Sequence, residues 1–329
     1  MVSIGIDIGG TKMSAGVVTA AGEIVERSLQ PSPILSARQA EDAIVEVVDR
    51  LSQRHRVDAV GVGAAGWVDS QQTTIRFSPH LAWRDEPIAP RLAQRVDRPV
   101  IVDNDANAAA WAEFNFGAGR GAQTMIMLTL GTGIGGAMVS DGRLFRGGFG
   151  MAGEWGHSAI VPGGQDCPCG SQGCWEQYAS GHALARRAAV LAASGDLAAA
   201  GLADQPQPLT GAAVGRLALD GDPAATGLVA ELGDWLGLGL ANLAAGLDPE
   251  VFIIGGGLAQ LGDLLLEPAR AAYRRHLSGR GHRPWAVVRQ ASFGNDAGLI
   301  GAAALAQAAA DRRDERPGEV TALWSREAG

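Results

Sequence analysis

The stretches VSIGIDIGGTKMSAGVV (residues 2–18) and TMIMLTLGTGIGGAMVSDG (residues 124–142) share one plan. Each begins with an apolar strand, turns at glycines and threonine, and continues as a second apolar strand. A plan that recurs along a chain indicates related structural units. The two stretches therefore predict two related half-molecules, each opened by a strand, a glycine turn and a strand.

Further strands and helices are predicted around these two hairpins. The strands are VDAVGVGAAGWVD (57–69), RPVIVDND (98–105) and PEVFIIGGG (249–257). One helix is predicted to follow residue 105 and to stop near Gly117. Further helices are predicted around 179–196, 226–246 and 296–310. The last helix has a face of small residues, formed by Gly298, Gly301, Ala302 and Ala306, which suits close packing. Strands that alternate with helices indicate an α/β fold.

Composition limits the class of partner. The chain has 329 residues, of which 47% are hydrophobic and 19% charged, and its net charge is -8. A negative chain without a basic run argues against nucleic acid as the main partner. The sequence shows no export signal and no uninterrupted run of about 20 apolar residues, so neither secretion nor a membrane span is expected. With only three cysteines, we expect a reducing cytoplasm.

Two glycine patterns resemble a dinucleotide-binding motif but lack its context. GTGIGG (131–136) and GVGAAG (61–66) fit G-x-G-x-x-G, yet neither is followed by a helix that could hold a pyrophosphate. A nicotinamide dehydrogenase is therefore disfavoured, and there is no P-loop motif. Glycine hairpin turns can still aim backbone N–H groups at phosphate oxygens. Lys12, the only lysine among 27 basic residues, lies in the first such turn, where a compact cation suits a phosphate.

All three cysteines lie within CPCGSQGC (167–174). Three thiols cannot all be paired among themselves, and clustered cysteines in a reducing compartment more often bind a metal. Tetrahedral zinc needs a fourth ligand, for which we predict His157, ten residues upstream, with His182 as the rival. Four protein ligands leave no open position, so the zinc is expected to be structural.

Six motifs occur in the order found in one protein family: DIGGTK, VDNDANAAA, LGTGIGGA, GEWGH, CPCGSQGCWE and GGGL. Together they resemble the ROK family of repressors, open reading frames and sugar kinases, and most closely its glucokinases. The resemblance implies an actin-like ATPase fold, with two α/β domains flanking a cleft in which ATP and sugar meet. It implies domains over 1–115 plus about 297–315 and over 116–296. The tail at 316–329 is charged and aperiodic, so we expect it to be mobile.

The resemblance also implies ATP-dependent phosphorylation of a hexose at its 6-hydroxyl, with glucose as the expected substrate. N-acetylmannosamine, N-acetylglucosamine and fructose kinases share the framework and remain alternatives. A sugar-responsive regulator is disfavoured because no helix-turn-helix module precedes the first turn. A sugar-binding protein without turnover is disfavoured by Asp105 and the two phosphate turns. A homodimer or homotetramer is expected.

By the same resemblance, particular residues take particular roles. The residues for ATP and Mg²⁺ are Asp7, Gly9, Gly10, Thr11, Lys12, Thr132, Gly133, Gly256 and Gly257. The residues for the sugar are Gly66, His80, Asn104, Asp105, Glu154, His157 and Glu176. Apart from the resemblance, the zinc ligands predicted from the cysteine cluster are His157, Cys167, Cys169 and Cys174. Loss of this zinc is expected to damage the sugar contacts, with ATP contacts affected less. Many relatives carry Asn-Leu where this chain has His80-Leu81, which leaves one contact near the sugar open.

Asp105 is the predicted catalytic base. It follows a strand and begins a helix, where the helix dipole favours its ionised form. The alternative is that Asp105 only caps this helix, which is a common role of aspartate. Because Asn104 and Asp103 are also available to cap, we favour the catalytic role.

Overall fold

A computed structural model of the chain describes residues 2–32, 36–78, 81–194 and 200–315. These residues form two compact units. The first unit comprises residues 2–116, 146–151 and 296–315, and the second comprises residues 117–145 and 152–295. The tail predicted over 316–329 lies outside the described residues.

The elements alternate between strands and helices, which confirms the α/β class. The strands are β1 Val2–Ile8, β2 Lys12–Thr19, β3 Ile24–Pro31, β4 Ala59–Ala64, β5 Trp67–Val68, β6 Ile75–Phe77, β7 Arg84–Glu86, β8 Val100–Asn104, β9 Thr124–Leu130, β10 Ile134–Ser140, β11 Arg143–Leu144, β12 Val251–Gly255 and β13 Val287–Gln290. The helices are α1 Ala37–Ser52, α2 Ile88–Val96, α3 Asp105–Phe116, α4 Glu176–Ala179, α5 Gly181–Ala192, α6 Ala200–Ala203, α7 Gly211–Leu219, α8 Pro223–Leu247, α9 Asp263–His276 and α10 Ala297–Glu315. Short 3₁₀ helices cover Trp155–His157, Gly257–Leu261 and Gly294–Asp296.

The two five-stranded sheets have the same topology. The first sheet has the order β3-β2-β1-β4-β8 and the second has the order β11-β10-β9-β12-β13. In the first sheet, β1 and β2 form an antiparallel hairpin, and β4 and β8 are parallel to β1. In the second sheet, β9 and β10 form the hairpin, and β12 and β13 are parallel to β9. The predicted repeat of two related halves is thus confirmed in strand order and direction.

In the first unit the small-residue face of α10 packs directly on the sheet and on α3. A Cβ atom built on Gly5 of β1 would lie 1.9 Å from the Leu299 carbonyl oxygen, and one built on Gly301 would lie 1.6 Å from the Ala108 carbonyl oxygen. Only glycine permits such approaches of backbone to backbone. The predicted close packing of the last helix is therefore confirmed.

In the second unit α8 lies in the apolar core with α9 and the sheet, through Leu232, Leu236 and Leu240 among others. Among the described residues, α8 is the one helix long and apolar enough to cross a membrane, although 56% of its most apolar window is buried inside the structure. Such burial is typical of a core helix.

One segment departs from the predicted domain boundaries. Residues 146–151, assigned from the sequence to the second domain, group with the first unit. Arg146 forms an ion pair with Asp103, whose Oδ2 lies 2.6 Å from the guanidinium. Gly150, at φ +85°, packs so closely on Val68 that a Cβ atom there would lie 2.2 Å from the Val68 carbonyl oxygen. These long-range contacts, which local sequence patterns do not report, hold the segment to the first unit.

Candidate active site

The polar residues of the first unit lie where its parallel strands end. Asp7, near the end of β1, pairs in register with Gly63 of β4, and Ala64 pairs with Asn104 at the end of β8. Asp105 follows at once as the first residue of α3. The carboxyl ends of parallel strands are the usual place for ligands in α/β folds. This edge therefore brings together Asp7, Asn104 and Asp105, three of the residues predicted for the site.

Asn104, rather than Asp105, supplies the main cap of α3. Its Oδ1 accepts hydrogen bonds from the backbone N–H groups of Ala106 at 2.9 Å and Asn107 at 3.1 Å. Its Nδ2 donates to the Gly66 carbonyl oxygen at 3.0 Å. One amide hydrogen of Asn104 is left by these bonds for a further acceptor. The carboxylate of Asp105, which also accepts from Ala106 N–H at 2.9 Å, is not required as the cap.

Asp103, one residue before the end of β8, holds this strand end in place through its hydrogen bonds. It is 2% exposed and accepts hydrogen bonds from the side chains of Gln72, Asn107 and Arg146 and from the backbone N–H of Asn104. A buried carboxylate with this many donors is fully compensated for its lost hydration. Asp103 thereby holds the Asn104–Asp105 backbone in one position.

Asp7 is a partly buried carboxylate beside a helix start. Burial, with a smaller contribution from the negative charge of Asp105, raises the pKa of Asp7 to about 7. A Cβ atom on Gly298 would lie 2.6 Å from Asp7 Oδ2, so the carboxylate packs against the first turn of α10. A nearby cation would stabilise the ionised form of Asp7, whose place on the magnesium side stays a prediction.

We expect Asp7→Asn to raise stability while it lowers activity. The folded pKa of about 7 exceeds the ordinary value of 3.8, so folding disfavours the ionised group. The penalty is absent below about pH 4, grows up to about pH 7 and is constant above. At about 1.4 kcal/mol per pKa unit, the variant should gain up to about 4 kcal/mol at pH 8 without magnesium. Urea unfolding from pH 3.5 to 8 measures this, and an equal or lower stability at pH 8 would contradict it.

The first phosphate turn, Gly9–Thr11, is held by Ser32. Ser32 Oγ donates to the Gly9 carbonyl at 2.5 Å, and Ser32 N–H donates to the Thr11 carbonyl at 3.0 Å. Gly9 N–H closes the turn on the Lys12 carbonyl at 3.0 Å. Gly10 lies within the turn, and the exposed Lys12 begins β2. Ser32 belongs to no motif, and the sequence did not identify it.

The second phosphate turn, Gly131–Gly133, lies between β9 and β10. Gly131 N–H donates to the Gly133 carbonyl at 3.0 Å, and Thr132 lies between them. Gly256, at φ +81°, follows β12 and packs against the end of β9, where a Cβ atom would lie 2.5 Å from the Leu130 carbonyl oxygen. Gly257 begins the next 3₁₀ helix. The structure thus brings Gly256 and Gly257 to the same edge of the second sheet as the turn.

The cysteine cluster gathers four donor atoms in the second unit. One ligand atom from each of His157, Cys167, Cys169 and Cys174 lies within 4.8 Å of the others. Cys169 Sγ and Cys174 Sγ are 3.6 Å apart, and Cys167 Sγ is 3.7 Å from His157 Nδ1. Zn–S bonds of about 2.3 Å at tetrahedral angles place two sulfur atoms about 3.8 Å apart. The distances fit tetrahedral zinc and are too long for a disulfide.

The thiols of this cluster also favour a cation. Burial raises the pKa of Cys167 to about 12 and also raises that of Cys174. Burial acts in the same direction on Cys169, but a backbone bond from Ser171 and the neighbouring thiols lower its pKa on balance. Three packed sulfurs can all ionise only when a metal compensates their charge.

Glu154 and Glu176 flank the imidazole of His157 on opposite sides. Glu154 Oε2 is 3.9 Å from His157 Nε2, and Glu176 Oε1 is 3.7 Å from Nδ1. The nitrogen that faces the thiols is therefore Nδ1, and Nε2 faces away from them. His182, the rival ligand, is not in the cluster. His80, predicted as a sugar contact, lies outside the described residues.

Two related halves, each with a sheet of this order and a phosphate-type turn, define an α/β protein of the actin-like ATPase fold. The chain belongs to the ROK family, since residues 3–309 match that family. A glucokinase from Streptomyces coelicolor is 46% identical over 316 residues, covering 93% of this chain and 97% of the relative.

A ROK family glucokinase from Streptomyces griseus, solved in complex with glucose and AMPPNP, has a TM-score of 0.85 and 47% identity, covering 94% of this chain and 100% of that one. An N-acetylmannosamine kinase from Escherichia coli O139:H28 is 33% identical over 314 residues, covering 93% of this chain and 99% of the relative. The chain is thus similar over nearly its whole length to sugar kinases.

Proposed function

We propose that this protein transfers the terminal phosphoryl group of ATP to the 6-hydroxyl of glucose. The observation that carries the proposal is Asp105, a half-buried carboxylate at the end of β8 that α3 does not need as its cap, in the same unit as a phosphate-type turn. The similarity to a glucokinase solved with glucose and AMPPNP supports the choice of substrates.

Asp105 is the general base in this proposal. Phosphoryl transfer to an alcohol needs a group that accepts the hydroxyl proton as the oxygen attacks phosphorus. Asp105 is suited to this role because the hydrogen bonds of Asn104 and Asp103 to each other and to Ala106 and Asn107 fix the start of α3. The dipole of α3 favours the ionised, proton-accepting form. The proton leaves the sugar oxygen for the carboxylate while the terminal phosphoryl group of ATP moves to that oxygen and ADP is released.

The two glycine turns and Lys12 are proposed to bind the phosphates. Backbone N–H groups and one ammonium stabilise the charge that spreads over the transferred group. Magnesium bound with ATP would supply further positive charge, and Asp7 is the carboxylate on that side. In the first unit Ser32 anchors the carbonyls of Gly9 and Thr11, so the amides of the turn are held in place.

In the second unit, Glu154, His157 and Glu176 are proposed to bind sugar hydroxyls. Zinc held by the cysteine cluster would take Nδ1 of His157 and fix the imidazole with a proton on Nε2. The Nε2–H can then donate to a hydroxyl, and the neighbouring carboxylate of Glu154 can accept from one. Cysteine residues coordinated to a metal are consistent with a cytoplasmic enzyme. We propose that location and a homodimer or homotetramer.

We expect glucose to have a higher kcat/KM than N-acetylmannosamine, N-acetylglucosamine or fructose. The expectation follows from the greater identity to the glucokinase than to the N-acetylmannosamine kinase. A coupled assay of ADP release, run with each sugar at saturating Mg-ATP, measures the four values. An N-acetyl sugar in first place would overturn the choice of glucose and retain a sugar kinase. No turnover with any hexose would overturn the proposed activity.

A further inference from the structure

The chain that leaves the cysteine cluster holds the second phosphate turn. We call residues 176–182 the support segment. The N–H of Gly181 donates to the Gly131 carbonyl at 2.8 Å, and the N–H of His182 donates to the Thr132 carbonyl at 3.2 Å. These are the first two amides of α5, which have no partners within their own helix. The turn therefore caps α5, and α5 in return fixes two successive carbonyls of the turn.

These bonds determine which way the amides of the turn face. In a planar trans peptide, the carbonyl oxygen and the following N–H point in opposite directions. When the carbonyls of Gly131 and Thr132 point at α5, the N–H groups of Thr132 and Gly133 point away from it. Those two N–H groups are the ones available to phosphate oxygens. The support segment thus orients the phosphate donors, although it bears none of them.

One carboxylate touches the turn and the cysteine cluster together. Glu176 Oε2 accepts a long hydrogen bond of 3.4 Å from Ile134 N–H, and a Cβ atom on Gly133 would lie 2.5 Å from the same oxygen. The other oxygen, Oε1, lies 3.4 Å from Cys167 Sγ. The Glu176 side chain is 16% exposed, which limits the positions that it can take. A displacement of Cys167 is therefore transmitted to Glu176 and to the turn.

We propose that metal binding at the cysteine cluster sets the affinity for the nucleotide as well as for the sugar, through the support segment. Gly181 and Glu176 are positioning residues in this scheme. The inference rests on the proposed function for the identity of the ligand, a nucleoside diphosphate or triphosphate. It revises the sequence-based expectation that metal loss would affect ATP contacts less than sugar contacts, because that expectation took no account of the bonds from α5.

Gly181→Ala tests the support segment without changing a metal ligand. The added Cβ would lie 2.7 Å from the Gly131 carbonyl oxygen, so the turn or α5 must shift. We expect the Kd for Mg-ADP, measured by titration calorimetry without sugar, to rise at least about tenfold at unchanged zinc content. The matched control is Gly227→Ala, also near the start of a helix of the second unit, where a Cβ meets nothing within 4 Å. The control should bind Mg-ADP as the wild type does.

Removal of the metal from the wild type tests whether the cysteine cluster itself affects nucleotide binding. After a chelator has stripped zinc, we expect Mg-ADP to bind at least about tenfold more weakly and zinc to restore the affinity. Amide hydrogens of Gly181 and His182 should exchange faster in the stripped protein. A Kd within twofold of the zinc-loaded value, with exchange unchanged, would overturn the inference even if Gly181→Ala failed to fold.

The results distinguish a failure of this inference from a failure of the proposed function. Wild-type protein that binds Mg-ADP and phosphorylates glucose, with Mg-ADP affinity unchanged in both Gly181→Ala and stripped protein, would overturn the inference alone. Zinc-loaded wild-type protein that neither binds Mg-ADP nor consumes ATP would overturn the proposed function and the inference together.

Discussion

Asp105→Asn is expected to lower kcat for glucose by about 10²- to 10⁴-fold, the usual contribution of a positioned general base. The asparagine has the same shape and can keep the bond from Ala106 N–H, but it cannot accept the hydroxyl proton. The KM for glucose and the Kd for Mg-ADP should change by less than about threefold, because binding does not require the proton transfer. Steady-state kinetics and binding titrations measure these quantities.

The same variant separates catalysis from capping. Asn104 supplies the main cap of α3 through its bonds to Ala106 and Asn107, so loss of the Asp105 charge should not destabilise the helix. It should even lower the pKa of Asp7, which the Asp105 charge raises. Asp141→Asn, in an exposed turn at φ 50°, is the matched control and should leave kcat unchanged. Near-normal turnover by Asp105→Asn would reduce Asp105 to a structural residue.

Cys169→Ser is expected to abolish metal binding and to reduce kcat/KM for glucose by at least about 10²-fold. The change removes one of four ligands, and structural zinc sites derive their stability from the complete set. Without the metal, His157 loses its fixed tautomer, and Cys167 no longer holds its place beside Glu176. The main cores should survive, because the apolar clusters of both units lie largely in their sheets and long helices.

Elemental analysis together with sugar-dependent kinetics tests this expectation. Gln172→Ala is the matched control, because Gln172 lies in the same loop and bonds to Asp166 rather than to a ligand atom. The control should retain about one zinc per chain and normal kinetics. A zinc-free Cys169→Ser enzyme with unchanged glucose KM and kcat would show that the metal does not organise the sugar contacts.

Features that depend on residue type could be predicted from the sequence. The apolar hairpins predicted two related halves, and the small face of α10 predicted its close packing. The clustering of the four residues proposed as zinc ligands could be predicted because cysteine and histidine are the side chains that zinc prefers. In each case the structural feature depends on the side chain, or on its absence at glycine, and residue type can be read from the sequence.

Features that depend on backbone atoms or on distant ion pairs could not be predicted. Ser32 anchors the first turn partly through its N–H, and Gly181 anchors the second turn through its N–H alone. Any residue but proline offers that donor, so no residue type marks the position. Arg146 pairs with Asp103 across 43 positions of sequence, and no periodic pattern connects two such residues. The misassigned segment 146–151 follows from the same long-range contact.

The central claim is transfer of phosphate from ATP to the 6-hydroxyl of glucose at a site that requires Asp105. Incubation of the zinc-loaded wild type with ATP, Mg²⁺ and glucose, followed by ³¹P and ¹H NMR of the products, tests it most directly. We predict glucose 6-phosphate and ADP in equal amounts, and at most about 1% of that initial rate with Asp105→Asn at equal enzyme concentration. ADP released without a phosphorylated sugar, phosphate on another hydroxyl, or equal rates for the two proteins would contradict the claim.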